Sequence, residues 1–260
     1  LRSRGLGDVY KRQEKGYALD LAYLEALSDD LDMIILCNPN NPTGLTVPVA
    51  DIEKLVRKNP NRMVIVDEAY ADYSTESCIG LATKYPNLVV VRTFSKSRNM
   101  AGTHIGFAIA SKDIVSDMNK IKFSFNPFNL NSVTMAAGIA AVKDTDYLKE
   151  CVNTIIKNRK WFTRELENIG FDVIPSKANF VFCYHKNVES EELCRKLKEE
   201  GILTRHFADE RLKKYLRITI GTRQEMMAVV IAIKEILLEK AGVDGETESF
   251  DLRLSKCVGA

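Results

Sequence analysis

Two kinds of apolar pattern alternate along the chain. MIILC (33–37), MVIVD (63–67) and LVVVR (88–92) are short continuous aliphatic runs bounded by turn-forming residues. Runs of this kind predict strands covered on both faces, as in a parallel sheet. Between them, VPVADIEKLVRKN and SCIGLATKYP carry the spacing of helices. Strand–helix–strand alternation implies right-handed crossovers and a mainly parallel sheet. HIGFAIA (104–110) predicts a further strand and KDIVSDMNKIK (112–122) a helix.

After FSFNPFNLNS the pattern changes. VTMAAGIAAVKD predicts a tightly packed helix of small residues, and TDYLKECVNTIIKNRKWFTRELENIG a long one. Gly170 stands where the long helix would stop. FDVI, FVFCY, ESEELCRKLKEEG, ILTRHF, LRITIG and RQEMMAVVIAIKEILLEK then alternate strands and helices. The predicted class is α/β: a mainly parallel sheet with flanking helices over 14–147, and a smaller C-terminal α+β domain over 148–243. LRSRGLGDVYKRQ (1–13) has neither period nor the apolar centre of a secretory signal, and is set aside as a leader foreign to the fold. Residues 244–260 are expected to be a tail.

Composition narrows the function classes. The chain has 260 residues with 45% apolar content, enough for one large core or two modest ones. Basic and acidic residues number 37 and 35, with no basic block, which argues against a nucleic-acid partner. No apolar run approaches the ~20 residues of a membrane helix. Cys37, Cys78, Cys151, Cys183, Cys194 and Cys257 show no CxxC pairing and no metal-ligand spacing. They fit reduced thiols of a cytoplasmic protein without a metal centre.

In an open α/β sheet, ligands bind beyond the carboxyl ends of the strands. The first three predicted strands are followed by CNPNNPTG (37–44), DEAY (67–70) and FSK (94–96). Each piece alone has a plain structural reading: a turn, a helix cap with a core aromatic, a solvated lysine. Together they bring amides, a carboxylate with a phenol, and a serine–lysine pair to one edge. A lysine at a buried polar edge can act as an amine nucleophile toward a carbonyl. A carboxylate could keep a heteroaromatic nitrogen protonated, and a phenol and an amide could bond a ring hydroxyl. Hydroxyls and backbone N–H groups could hold a phosphate. Those needs describe pyridoxal 5'-phosphate.

CNPNNPTG, VDEAY, TFSKS with AG and IGF, ANF and YLRITIGT resemble the class I and II aminotransferases, fold-type I pyridoxal phosphate enzymes. Their order and spacing are most similar to the histidinol-phosphate aminotransferases, over roughly residues 14–242. The resemblance implies a catalytic Lys96 that forms a Schiff base with the cofactor and shuttles a proton. It implies that Asp67 pairs with the ring nitrogen, that Asn41 and Tyr70 bond the ring hydroxyl, and that Ser95 and Thr93 bind the phosphate. Arg217 would grip the α-carboxylate of glutamate and the phosphate of the acceptor, with Arg205 a second anion contact. The implied reaction moves an amino group from glutamate to a phosphorylated or aromatic 2-oxo compound. Histidinol phosphate with 2-oxoglutarate, in histidine biosynthesis, is the first choice, and a homodimer is implied for the parent. A threonine-phosphate decarboxylase, an aromatic aminotransferase, a non-catalytic cofactor-binding module and an inactive fragment are the rivals.

Two departures from the family pattern matter. Where the family has AGLRIG, this chain has AGTHIG, so His104 replaces the arginine expected to clamp the cofactor phosphate. A histidine can donate to a phosphate, but it has no five-donor fork and no permanent charge. Arg98 or backbone donors are the alternative clamp. The segment EKGYALDLAYLEALSDD (14–30) already matches the family's approach to the NNPTG strand. The chain is therefore expected to be a fragment lacking the family's N-terminal part, including a phosphate-binding glycine loop and a ring-stacking aromatic.

Overall fold

The computed structural model describes residues 16–19 and 33–240. The expected leader, the tail and most of 14–30 lie outside the described residues. The chain divides into two compact units, with the boundary along the sequence between Val152 and Asn153.

The first unit is built on β1 (Met33–Cys37), α1 (Val49–Lys58), β2 (Met63–Asp67), α2 (Ile79–Ala82), β3 (Leu88–Thr93) and β4 (Gly106–Ile109). The sheet order is β1-β2-β3-β4, with β1–β2 and β2–β3 parallel and β4 antiparallel to β3. Helix α1 buries Ile52, Leu55 and Val56, spaced three and four apart, in one core with Ile34, Leu36, Val64, Val66, Leu88 and Val90. α3 (Lys112–Phe125), α4 (Ser132–Lys143) and the first turns of α5 (Thr145–Asn168) follow. Asn131 caps α4 by accepting from the Thr134 N–H at 2.8 Å.

Three local expectations are corrected. β1 is covered on one face only: Ile34 and Leu36 are buried, whereas Met33 and Ile35 are 43% and 40% exposed. It is the terminal strand of the sheet order, and a continuous apolar run does not by itself say what lies on each face. The helix expected over 77–86 shrinks to α2, because Pro86 disfavours helical backbone at Tyr85 and cannot itself continue the turn. β4 begins at Gly106, not His104, since His104 is left-handed (φ 53°) and closes a 3₁₀ turn over Ala101–Thr103. Gly106 is required there: a Cβ would stand 2.9 Å from the Arg92 carbonyl oxygen on β3. On α3, the following loop and α4, Ile121, Phe125, Phe128 and Val133 remain largely exposed.

The second unit contains the rest of α5, β5 (Phe171–Ile174), β6 (Phe180–His185), α6 (Ser190–Glu199), β7 (Arg205–His206), β8 (Leu216–Thr219) and α7 (Arg223–Lys240). Its sheet, β5-β6-β8-β7, is antiparallel throughout. Phe162, Leu166, Val181, Leu193, Leu197, Leu216, Met226 and Ile233 form its core. Gly170 follows α5 with φ +90°, as its place in the sequence predicted. The strand expected at ILTRHF is only two residues long. Its first N–H, on Ile202, is used at 2.8 Å by the Leu197 carbonyl in closing α6 around Gly201. Among the described residues no helix is long and apolar enough to cross a membrane.

Candidate active site

The registers Cys37↔Asp67 and Asp67↔Val91 align the carboxyl ends of β1, β2 and β3. The ladder runs one step further, through Asn38 N–H to the Asp67 carbonyl at 2.8 Å and Glu68 N–H to the Val91 carbonyl at 2.9 Å. The segments carrying the predicted site residues therefore leave the sheet from one fixed edge. Asp67 Oδ1 accepts from the Ala69 N–H at 2.9 Å, a side-chain turn that bends the chain past the strand end. Glu68 is turned inward, 1% exposed, and Tyr70 is buried.

Lys96 lies on the loop after β3, half-buried, with Nζ 5.7 Å from the centre of the Tyr70 ring. The loop is held at both ends: Phe94 N–H donates to the Ile105 carbonyl at 3.0 Å, and Met100 N–H to the Phe94 carbonyl at 3.2 Å. Thr93 Oγ1 lies 3.0 Å from Ser95 Oγ and accepts from the Ser95 N–H at 3.1 Å. Asp67, Tyr70, Thr93, Ser95 and Lys96 thus occupy two adjacent segments of one edge.

The amide cluster divides its labour. Asn38 is buried and clamps its loop by bonding both the N–H and the carbonyl of Val47, at 2.8 and 3.0 Å. Asn40 Oδ1 accepts from Thr43 Oγ1 at 2.9 Å. Asn41 is the exposed member. His104 is exposed as well. Arg98 donates to the Ala141 carbonyl and packs its guanidinium 5.4 Å from the Phe94 ring.

Beside Asp67, burial and then the neighbouring carboxylate push the Cys37 thiol up to about 11. Burial likewise pushes Cys183 to about 12, and burial followed by Glu68 pushes Cys78 to about 12. These folded values lie above that of a free thiol, so the stability they contribute is complete below about pH 9 and is lost as pH climbs toward 11–12. The melting temperature is expected to hold between pH 7 and 8.5 and to fall above pH 9. Carbamidomethylation of Cys37 at pH 8 should run about 100-fold slower than that of a free thiol, from the two-unit rise alone. Mass spectrometry of labelled peptides checks this.

In the second unit Arg205 and Arg217 face each other across β7 and β8 in direct register. The Arg217 guanidinium lies 5.2 Å from the Phe180 ring and 5.9 Å from the Phe207 ring, and Arg205 lies 5.5 Å from Phe207. Like charges directly opposite on paired strands oppose folding unless an anion joins them.

The sequence reading missed Glu68, Asp72, Arg92, Ser77 and Ser97, which form a polar cluster beside Lys96. One signal was present: Arg92 ends an apolar strand run, and Glu68 sits beside Asp67 at the end of another.

The edge of three parallel strands thus brings together a lysine, a carboxylate and a phenol, groups suited to carbonyl and amine chemistry. The chain matches the family model for aminotransferase class I and II over residues 3–233, and it belongs to that family. It is 44% identical over 203 residues to a histidinol-phosphate aminotransferase of Clostridium botulinum, covering 78% of this chain and 57% of the relative. The chain therefore spans less than two thirds of that relative's length. Among solved structures it is similar to the histidinol-phosphate aminotransferase of Clostridium acetobutylicum, with a TM-score of 0.80 at 29% identity over 85% of this chain and 69% of that one. It is also similar to the Sinorhizobium meliloti histidinol-phosphate aminotransferase in complex with pyridoxal-5'-phosphate, with a TM-score of 0.74 at 26% identity over 84% and 60% of the two chains.

Proposed function

We propose that this chain carries the lysine-bearing part of a pyridoxal phosphate-dependent transaminase. The parent moves an amino group from glutamate to a phosphorylated 2-oxo acceptor, as in histidinol-phosphate:2-oxoglutarate transfer, and works as a cytoplasmic homodimer. The observation that carries the reading is Lys96 Nζ lying 5.7 Å from the Tyr70 ring centre, on a sheet edge that also presents Asp67.

The residues fit the cofactor by donor chemistry. Lys96 supplies the primary amine, Asp67 the carboxylate for a ring nitrogen, and Tyr70 and Asn41 the partners for a ring hydroxyl. Ser95, Thr93 and His104 supply phosphate donors. When bound, the group supplies an electron sink for charge developing at the substrate's α-carbon. Lys96 Nζ holds the cofactor and carries the proton taken from that carbon. Asp67 keeps the ring nitrogen protonated. Arg217, with Arg205, binds the carboxylate or phosphate of the substrate, a role supported by their cross-strand pairing.

Turnover is tested by incubating the chain and cofactor with histidinol phosphate and 2-oxoglutarate and following glutamate formation. Carbon dioxide released from threonine phosphate would favour the decarboxylase instead. Cofactor binding with neither product would favour a binding module.

His104 adds a prediction about the phosphate clamp. An arginine brings a permanent charge and a five-donor fork, so His104→Arg should raise cofactor affinity by about tenfold, one charge-assisted hydrogen bond's worth. A fluorescence titration of cofactor binding reads the change. Unchanged affinity in the variant would remove His104 from the phosphate site.

A further inference from the structure

Glu68, Arg92, Asp72, Ser77 and Ser97 form one connected cluster. Glu68 Oε2 accepts from Arg92 Nε at 2.9 Å and from Ser77 Oγ at 2.7 Å, and Oε1 accepts from the Cys78 N–H. Arg92 continues through one terminal nitrogen to Ser77 Oγ at 3.0 Å and through the other to Asp72. The second Asp72 oxygen accepts from Ser97 Oγ. Glu68 and Ser97 are 1% and 2% exposed.

The chain positions of these residues give the cluster its meaning. Glu68 and Asp72 stand two residues either side of Tyr70, and Glu68 directly follows Asp67. Arg92 directly precedes Thr93, and Ser97 directly follows Lys96. The two segments that carry the candidate cofactor residues are thus tied together at both ends, by Arg92 at the sheet and by Asp72–Ser97 at the loop. We infer that Asp72 is a positioning residue: by accepting from Ser97 Oγ it sets where the Lys96 amine stands relative to Asp67 and Tyr70, while Arg92 and Glu68 hold Asp72 in place.

Stability alone is a weak reason for this arrangement. Buried ion pairs contribute little net stability compared with apolar packing. The Asp72 side chain is 29% exposed, so its pairing with Arg92 is partly solvated. A hydroxyl-to-carboxylate bond is short and directional, which suits holding a loop in place. A displacement of ~1 Å at a reacting group can cost ~100-fold in rate.

The inference rests on the proposed reading only for the identity of the cofactor, so the experiment has two arms. In the first, the cofactor-free chain is treated with glyoxylate and cyanoborohydride. Peptide mass spectrometry then gives the modification of Lys96 relative to the other lysines. In the second, pyridoxal phosphate is added and the visible circular dichroism of the bound chromophore is recorded. Ser97→Ala and Asp72→Ala are expected to change the relative modification of Lys96 by about fivefold or more and to erase the dichroic band, with far-UV spectra unchanged. Ser97→Thr, which keeps the hydroxyl, should restore both, and Asp72→Asn, which keeps an acceptor, should lie between. If Asp72→Ala fails to fold, Ser97→Ala, which removes one oxygen, decides. Wild-type selectivity in a folded Ser97→Ala chain overturns the inference. A response to glyoxylate without any cofactor signal in the wild type would sustain the positioning role and sink the cofactor assignment.

Discussion

Lys96→Ala is expected to abolish the visible band that pyridoxal phosphate gives with this chain and that borohydride bleaches, and with it the reduced adduct on peptide 92–107. Covalent capture of an aldehyde needs a primary amine at the site, and no neighbouring hydrogen bond can substitute for it. The loss should be complete at cofactor concentrations equal to the protein. Arginine at 96 should be equally inactive, because a guanidinium keeps the charge but offers no free amine. Asp67→Asn should retain the adduct and weaken binding, since it alters only the ring-nitrogen partner. A band that survives Lys96→Ala would mean that surface lysines trap the aldehyde, and the site assignment would fall. With the band confirmed, glutamate and histidinol phosphate become worth testing as substrates.

Arg92→Met should destabilise the first unit by about 3–5 kcal/mol, the usual loss when one member of a buried ion pair is removed. The Arg92 side chain is 12% exposed and that of Glu68 1%, so Glu68 would be left as an uncompensated charge in a dry setting. The cost is dominated by Glu68, not by the lost bond, which gives a second observable. Arg92→Met combined with Glu68→Gln should recover a sizeable part of the loss, because the orphaned charge is gone. Urea unfolding followed by far-UV circular dichroism measures both midpoints. Equal destabilisation of the single and double variants would show that packing of the arginine stem, not charge burial, sets the cost.

Much of the geometry of the candidate site was legible in the chain. Lys96, Asp67 and Tyr70 each follow a continuous aliphatic run, and a parallel sheet brings the ends of such runs to one edge whatever the intervening loops do. The polar cluster beside them was not legible as a cluster. Arg92 meets Glu68 and Asp72 across 24 and 20 residues, and only the β2–β3 register and the inward turn of Glu68 bring them together. The division of the NPNNPTG amides was equally hidden. Side-chain chemistry makes Asn38, Asn40 and Asn41 interchangeable, and the loop's path alone assigns two of them to holding the turn.

The sequence by itself determined the periodicities, and with them the order of strands and helices, the stop at Gly170 and the break before Pro86. Those are decided by neighbours within a few residues, where backbone sterics and side-chain spacing act. Tertiary structure decided which face of β1 is covered and that Arg205 stands opposite Arg217. Each depends on what another segment places alongside, and strand pairing carries that information between residues far apart in the chain.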